Sequence, residues 1–464
     1  MNGGPARPSF GDPGRPVAVH IVGIGGAGMS AIATALHAMG HTVTGSDLRA
    51  SGVTDRLTRA GIAVAIGHDR SNVGSADLVT VSSAVSDDNP EVLEARLRGI
   101  PVLARSEALA AIASLRRCIA VAGTHGKTTT ASMLALLLVE AGVRPSFLIG
   151  GDVNEIGTNA VWGEGEWLVV EADESDGTFL ALVPDIAVVT NVEADHLDHY
   201  GTFAAVRSAF EDFVAGARHR VVGGDDLVAA QIGRDSGADI VGTGEDSTFR
   251  IVELELARSS LSFDLLDPAG ATLGRLEVPV PGLHNARNAA VATVAALAAG
   301  VPFAAASRAL ARFAGVARRF EFRGEANGVT FVDDYAHLPS EVRAALAAAR
   351  NGDWRRVVAV FQPHRYSRTA DLWSEFGASF GDADLVVVTD VYGAGEAPVP
   401  GVSGQLVADA IRRSAPGLPV VYVAGRSDVR TVVGGLLEPG DLCCTLGAGD
   451  LTSLPDELIA DPGW

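Results

Sequence analysis

The chain has 464 residues, is 47% hydrophobic and carries a formal net charge of −20. That length suits roughly three domains, each with its own core, and so acidic a balance argues against a nucleic-acid or acidic-membrane partner, whose surfaces call for a basic face. No charge-free run of about 18 apolar residues suggests a membrane span, and Cys118, Cys443 and Cys444 form neither a disulfide framework nor metal-ligand spacing, so a cytoplasmic protein with buried thiols is expected.

Residues 1–16 are rich in Gly and Pro without an apolar stretch, and they read as a flexible leader. The first unit, residues 17–117, opens with the strand VAVHIVGIG, turns through glycines into the apolar helix MSAIATALHAMG, and returns as the strand HTVTGSD. Short apolar strands follow at IAVAIG, ADLVTVSS and IPVLA. Gly23, Gly25, Gly26 and Gly28, with Asp47 ending the second strand, match the dinucleotide fingerprint. The physics beneath it is broader, because backbone amides at a helix N-terminus accept any nucleotide diphosphate. NAD-linked and UDP-linked ligands both fit at this point, and simple packing is the bland alternative.

The second unit, residues 118–317, repeats strand, glycine turn and long apolar helix in CIAVAGTHGKTTTASMLALLLVEAG. Gly123, Thr124, His125, Gly126, Lys127, Thr128 and Thr129 supply amides for phosphates, an ammonium for their β and γ oxygens and a hydroxyl for Mg²⁺. Val121 stands where the usual first glycine of such a loop falls, so a strict phosphate-loop pattern fails while its strand and helix context is present. Lys127 is the only lysine in the chain; the other 35 of the 36 basic residues are arginines. A drift that complete spares one position only where a compact ammonium is needed in place of a forked guanidinium.

Two strands of this unit, WLVVEADES and IAVVTNVEADH, carry polar groups at their C-terminal ends, where open parallel sheets bind ligands. Glu171 heads an acidic cluster with Asp173, Glu174 and Asp176, and a carboxylate beside a triphosphate loop is where Mg²⁺ sits. His196 follows the next strand; capping a helix is its bland alternative. A β-rich stretch (TFRIVELELA, SLSFDLLD, GRLEVPV) and alanine-rich helices from Asn285 to Ala299 complete the unit. The third unit, residues 318–464, alternates strands and helices in another doubly wound α/β sheet. Arg318, Arg319, Asp333, Asp334, Tyr335, His337, His364, Arg365 and Arg368 fall at or just after its strands, and arginine forks bind carboxylates and phosphates bidentately.

The runs VGIGGAGMSAIA, GSD, SSAV, GTHGKTTT, EADESDGTFL, NVEADHLDHY, GLHNARNA, RRFEFRG, DDYAHLPSEV, FQPHRYSRT and LGAGD together resemble the Mur ligases of peptidoglycan synthesis over nearly the whole chain after the leader. The resemblance implies an α/β protein of three domains: a Rossmann-like N-terminal domain, a phosphate-loop central domain and a Rossmann-like C-terminal domain. It implies that Gly25, Gly26, Ala27, Gly28, Met29 and Ser30, with Asp47, Ser82 and Ser83, bind the UDP part of UDP-N-acetylmuramate, which displaces the NAD reading. ATP would lie on the Gly123–Thr129 loop, with Asn285 and Asn288 on the adenine side, Arg319 on the γ-phosphate and Asp334 in a domain-closing segment with Tyr335 and His337. Thr128 and Glu171 would hold Mg²⁺, for which Mn²⁺ can substitute, with His196 toward a second metal. Tyr335, His364, Arg365 and Arg368 would surround the incoming amino acid.

Several siblings carry a carbamylated lysine a dozen or so residues after the DH motif; here that stretch reads VRSAFEDF, with Phe210 near the place, so no carbamate bridge can form. This agrees with the branch of the family that adds L-alanine. The expected reaction is acyl-phosphate formation from the muramate carboxylate and ATP, then attack by the alanine amine, with Lys127, His196, Arg319 and His337 as the catalytic set and a monomer or weak homodimer as the working form. His196, His337 and His364 are all candidates to accept the amine's proton. A ligase joining a recycled murein tripeptide to the same sugar nucleotide is the nearest alternative; a nicotinamide oxidoreductase or a switch-type ATPase leaves parts of the pattern unused.

Overall fold

Continuous apolar runs are what strands buried on both faces need, and the chain uses them to build three separate sheets. The computed structural model describes residue 10 and residues 15–82 and 84–464. Ser83 and most of the expected leader therefore lie outside the described residues. The chain divides into two compact units: one runs to Val252 and adds Asp264–Leu276 and Arg287–Arg312, and the other comprises Glu253–Phe263, Glu277–Ala286 and Phe313–Trp464.

The first sheet has the order Ala63–Ile66, Thr42–Asp47, Ala18–Val22, Leu78–Val81, Val102–Ala104, with every neighbour parallel. The second and third strands in chain order lie on one side of Ala18–Val22 and the fourth and fifth on the other, which makes its C-terminal end a topological switch point where α/β sheets bind ligands. The turn after Val22 leads into the helix Ala27–Ala38. The second sheet has ten strands, of which seven in the same unit run in the order Asp239–Gly242, His219–Gly223, Ile186–Val189, Arg117–Ala122, Trp167–Glu171, Ser146–Val153 and Thr158–Val161, parallel but for the last pair.

Within that sheet Arg117–Ala122 lies between Trp167–Glu171 and Ile186–Val189, so the loop after Ala122 opens between the ends of the two strands that carry the acidic cluster and lead toward His196. The helix Lys127–Glu140 is buried along most of its length, in keeping with its unbroken apolar sequence. Phe210 is buried against Phe179, at 5.1 Å between ring centroids, and so occupies core where siblings would carry a modified lysine.

The second unit holds a sheet in the order Glu321–Ala326, Val329–Asp334, Asp441–Leu446, Arg356–Phe361, Leu385–Thr389, Val420–Val423, antiparallel only in its first pair. Cys443 and Cys444 are free thiols on its strand Asp441–Leu446; strand alternation sends them into different core clusters, and both are buried, as is Cys118. Among the described residues no helix is long and apolar enough to cross a membrane.

Candidate active site

The first glycine loop is held by the strand beside it. Gly23 and Ile24 donate their amides to the Ser46 carbonyl at 2.8 and 3.0 Å, and Gly25 donates to Asp47 Oδ2 at 2.9 Å. A Cβ on Gly25 would come within 2.8 Å of that same oxygen, so the carboxylate and the bare glycine fit only each other. Asp47 thus shapes the loop in addition to any part it plays toward a ribose. Met29 and Ser30 are buried, and the Ser30 hydroxyl donates to the Ala27 carbonyl at 2.9 Å, which leaves the backbone of this turn as what it offers a ligand. Ser82 lies against it, 3.2 Å from where a Cβ on Gly23 would stand.

One residue of the neighbouring sheet braces this loop, and another ties the helix Gly52–Arg59. Asn159 donates through Nδ2 to the Ala27 and Ile149 carbonyls at 3.3 and 3.2 Å, and Arg56 pairs with Asp152 at 2.8 Å. A second basic group, Arg105, stands closer still and was not anticipated. It begins the helix Arg105–Ala113, and its Nη2 reaches Asp173 and Asp176, each at 2.9 Å.

The second glycine loop is tighter. Gly123 has φ +134 and a Cβ there would lie 2.0 Å from Thr190 Oγ1; Gly126 has φ +79 and its Cβ would lie 2.5 Å from Asn288 Oδ1. Both positions demand glycine on backbone and steric grounds. Asn288 is therefore brought against the loop, while Asn285 donates its side-chain amide to the Pro281 carbonyl at 2.7 Å. The loop is fastened by the next strand end: Asn191 Oδ1 accepts from the His125 amide at 2.8 Å, Asn191 Nδ2 donates to the His125 carbonyl at 3.0 Å, and Thr124 Oγ1 accepts from the Glu193 amide at 2.8 Å. His125 Nε2 also lies 3.1 Å from Glu193 Oε2. Thr129 is buried in the first turn of the helix.

Lys127 turns back over this loop. Its Nζ donates to the Gly123 carbonyl and to Glu174 Oε1, both at 2.6 Å, and to the Thr124 carbonyl at 3.3 Å. Burial pulls its pKa down, but the carboxylates of Glu174, Asp173 and Glu171 outweigh that and hold it above the ordinary lysine value. Burial pushes Glu174 up to about 7 against the pull of Lys127, with Asp173 adding to the rise. Its Oε2 is buried without a hydrogen-bond partner among the described residues. Asp173 titrates well below the usual carboxylate range, because Lys127 and Arg105 overcome its burial.

Thr128 Oγ1 donates to Glu171 Oε1 at 2.9 Å, and Glu171 Oε2 accepts the Gly150 amide at 2.6 Å. A hydroxyl and a carboxylate joined at the mouth of a phosphate loop are hard oxygen donors of the kind Mg²⁺ prefers. Among the described residues no group of three or more His, Cys, Asp and Glu side chains is gathered for a metal. His196 has φ +55 at the start of the short helix Leu197–Tyr200 and makes no side-chain cap there. Its Nε2 instead lies 3.2 Å from Asp195 Oδ2 and 3.9 Å from Glu174 Oε1. His196 thus joins Lys127 around Glu174.

In the second unit the backbone is bent to present consecutive arginines: Arg318 and Phe320 have φ +62 and +48 on either side of Arg319. Asp334 fixes that bend, accepting the Phe320 amide on Oδ2 and the Ala336 amide on Oδ1, both at 2.7 Å. Its carboxylate is taken up by the chain's own backbone, and burial raises it to about 6 although Arg319 opposes the shift. Arg318 pairs with the buried Asp333 at 3.3 Å and donates to the Gly447 carbonyl at 2.8 Å, a structural role. Arg319 lies 5.2 Å from the Tyr335 ring centroid and 3.7 Å from Glu341.

His337 Nδ1 lies 2.9 Å from the Tyr335 carbonyl and 3.2 Å from Glu341 Oε2; its ring is 5.7 Å from that of His364. Burial lowers His337 to about 4, against the opposing charge of Glu341, and lowers His364 to about 3 with help from His337 and Arg368. Arg368 Nη1 lies 3.3 Å from His364 Nδ1, and His364 stacks on Tyr392. Arg365, at φ +69, opens the helix Tyr366–Phe376, so Tyr335, His337, His364 and Arg368 form one cluster with Arg365 at its edge.

Three family descriptions match successive parts of the chain: the Mur ligase family, catalytic domain, over residues 18–117, the Mur ligase middle domain over 121–296, and the Mur ligase, glutamate ligase domain, over 318–449. A UDP-N-acetylmuramate–L-alanine ligase of Anaeromyxobacter dehalogenans strain 2CP-1 is 46% identical over 451 residues, 96% of this chain and 98% of that one. The crystal structure of UDP-N-acetylmuramate-alanine ligase MurC from Thermotoga maritima matches with a TM-score of 0.83 at 29% identity, covering 96% of this chain and 98% of that one. A murein peptide ligase from Psychrobacter arcticus matches with a TM-score of 0.70 at 26% identity, over 96% and 98% of the two chains.

Proposed function

The chain belongs to the Mur ligase family, and from that premise we propose that it joins L-alanine to the lactyl carboxylate of UDP-N-acetylmuramate in the cytoplasm, consuming ATP and releasing ADP and phosphate, as a step in peptidoglycan synthesis. The observation that carries this reading is the sole lysine, held at a glycine loop beside Thr128 and Glu171 in a chain so similar to ligases named for that reaction.

An amide does not form from a carboxylate in water without a better leaving group than oxide. A carboxylate oxygen attacks the γ-phosphorus of ATP, the bond to the β-phosphate breaks, and the acyl phosphate forms. The alanine amine then attacks the acyl carbon, and phosphate departs with the oxygen that made the attack. Lys127 is a fixed positive charge for the transferring group, where electrostatic preorganisation counts most. Its present partner Glu174 is driven toward the neutral acid by burial, which eases the exchange of that partner for phosphate oxygens.

Mg²⁺, when bound, neutralises charge on the phosphates, and Thr128 and Glu171 would hold it, with His196 a further candidate. Arg319 is assigned to the γ-phosphate, and Arg365 and Arg368 to the alanine carboxylate, by chemistry suited to planar anions. Burial keeps His337 and His364 neutral near pH 7 but also makes them weak bases, which counts against either as acceptor of the alanine ammonium's proton. The glycine loop at Gly25–Gly28 is assigned to the UDP diphosphate. Phosphate release measured with each component omitted in turn tests the reading: release is expected only with ATP, UDP-N-acetylmuramate and L-alanine together. Release without the amino acid, or with a murein tripeptide in preference to alanine, would overturn it.

A further inference from the structure

Arg105 lies between the two glycine loops, and its hydrogen bonds are lopsided. All those it makes to side chains come from one nitrogen: Nη2 reaches Asp173 Oδ2 and Asp176 Oδ2 at 2.9 Å each and Thr178 Oγ1 at 3.4 Å. Its Nε is buried and has no hydrogen-bond partner among the described residues. A Cβ on Gly28 would lie 3.1 Å from Nη1 and 3.6 Å from Cδ, so the guanidinium rests directly on the first turn of the helix Ala27–Ala38. Its Nη1 is left to donate a charge-assisted hydrogen bond to an anion at the loop while Nη2 keeps its carboxylates, and the amides of the helix start favour the same charge.

The carboxylates it leans on are not passive. Asp173 and Asp176 accept the Ser175 and Thr178 amides, both at 3.0 Å, and so fix the short turn on which Glu174 stands. Glu174 in turn holds Lys127 at 2.6 Å. We propose that Arg105 binds an anionic oxygen of the sugar nucleotide at the Gly25–Gly28 loop while its Nη2 stays on Asp173 and Asp176, and thereby couples that substrate to the turn that positions Lys127. The inference deepens the proposed function and rests on it. Gly28 then has a reason of its own: a side chain there would push aside the guanidinium.

The test is the Kd of UDP-N-acetylmuramate, by calorimetry on the full chain, with and without a non-hydrolysable ATP analogue. Wild-type affinity is expected to change by about fivefold between the two conditions, a typical coupling. Arg105→Met is expected to weaken sugar-nucleotide binding by about tenfold or more, one lost charge-assisted contact, and to abolish the change with the analogue, while Kd for the analogue alone moves less than about threefold. Arg105→Lys, which keeps the charge without the fork, falls between. Asp176→Asn leaves Arg105 in place and is expected to reduce the coupling more than the affinity. If Arg105→Met is too unstable to assay, Arg105→Lys carries the same test with a smaller shift. A sugar-nucleotide Kd within about twofold of wild type in both Arg105 variants, with the coupling intact, would overturn the proposal. Wild-type protein that binds no UDP-N-acetylmuramate would instead overturn the proposed function, and this assignment with it.

Discussion

The two glycine loops of the first unit are built alike and do different work. Each follows a strand, turns through glycines with positive φ at Gly23 in one case and at Gly123 and Gly126 in the other, and opens a helix, Ala27–Ala38 and Lys127–Glu140 respectively. Around the first, Asp47 holds the Gly25 amide, and the basic group on the turn is Arg105, tied to Asp173 and Asp176. Around the second stand Lys127, Glu171 and Glu174, with His196 beside Glu174. The turn therefore decides that a phosphate can be held, and the charge gathered around the turn decides whether it is only held or also transferred.

The contrast breaks most visibly at Lys127. Lys127→Arg is expected to lower turnover by about 10³, the upper range for losing one preorganised transition-state donor, because the broad fork does not fit between the Gly123 carbonyl and Glu174. Steady-state phosphate release measures it, and near-native turnover would refute the need for a lysine. Glu171→Gln, by weakening the oxygen donors at the same loop, is expected to lower turnover by about 10² and to raise the Mg²⁺ concentration needed for half activity. Removal of divalent metal with a chelator should stop phosphate release, and Mg²⁺ or Mn²⁺ should restore it.

Substitutions of the glycines sharpen the comparison. Gly123→Ala meets Thr190 Oγ1 at 2.0 Å in a left-handed conformation and is expected to cost about 3 kcal/mol of stability in denaturant unfolding. Gly28→Ala meets only the movable end of Arg105 at 3.1 Å and should cost less than about 1 kcal/mol. The smallest effect is on pH dependence. Glu174 is raised from 4.5 to about 7, so the folded state keeps its proton while the unfolded chain gives it up. Its favourable contribution is complete below pH 4.5 and is lost as pH rises toward 7. Thermal melting of wild type should therefore fall relative to Glu174→Gln across that window, and parallel curves would show that Glu174 is not held as the acid.

Much of this was legible in the sequence because the determining features are local. Strands such as Arg117–Ala122 and Ile186–Val189 are unbroken apolar runs, and the glycine and acidic motifs sit at their ends. The strands Ser146–Val153 and Thr158–Val161 are not legible in the sequence, since Gly150, Gly151 and Asp152 interrupt the apolar pattern of the first. Their value is tertiary: the Gly150 amide holds Glu171 and Asn159 holds Ala27. Arg105 was missed for the same reason. Nothing local separates it from the other arginines, although a basic residue opening a helix just past the last strand of the first sheet was a signal available to be read. Glu174 and Asp334 were visible as acids, but only packing shows that one faces Lys127 and the other holds the backbone that presents Arg319.

The most direct measurement follows one oxygen atom. With the lactyl carboxylate of UDP-N-acetylmuramate labelled with ¹⁸O, turnover with ATP and L-alanine should transfer one labelled oxygen to each phosphate released, as attack of that carboxylate on the γ-phosphorus requires. Phosphate that carries no label while the amide product forms would contradict the acyl-phosphate route, and with it the part given to Lys127.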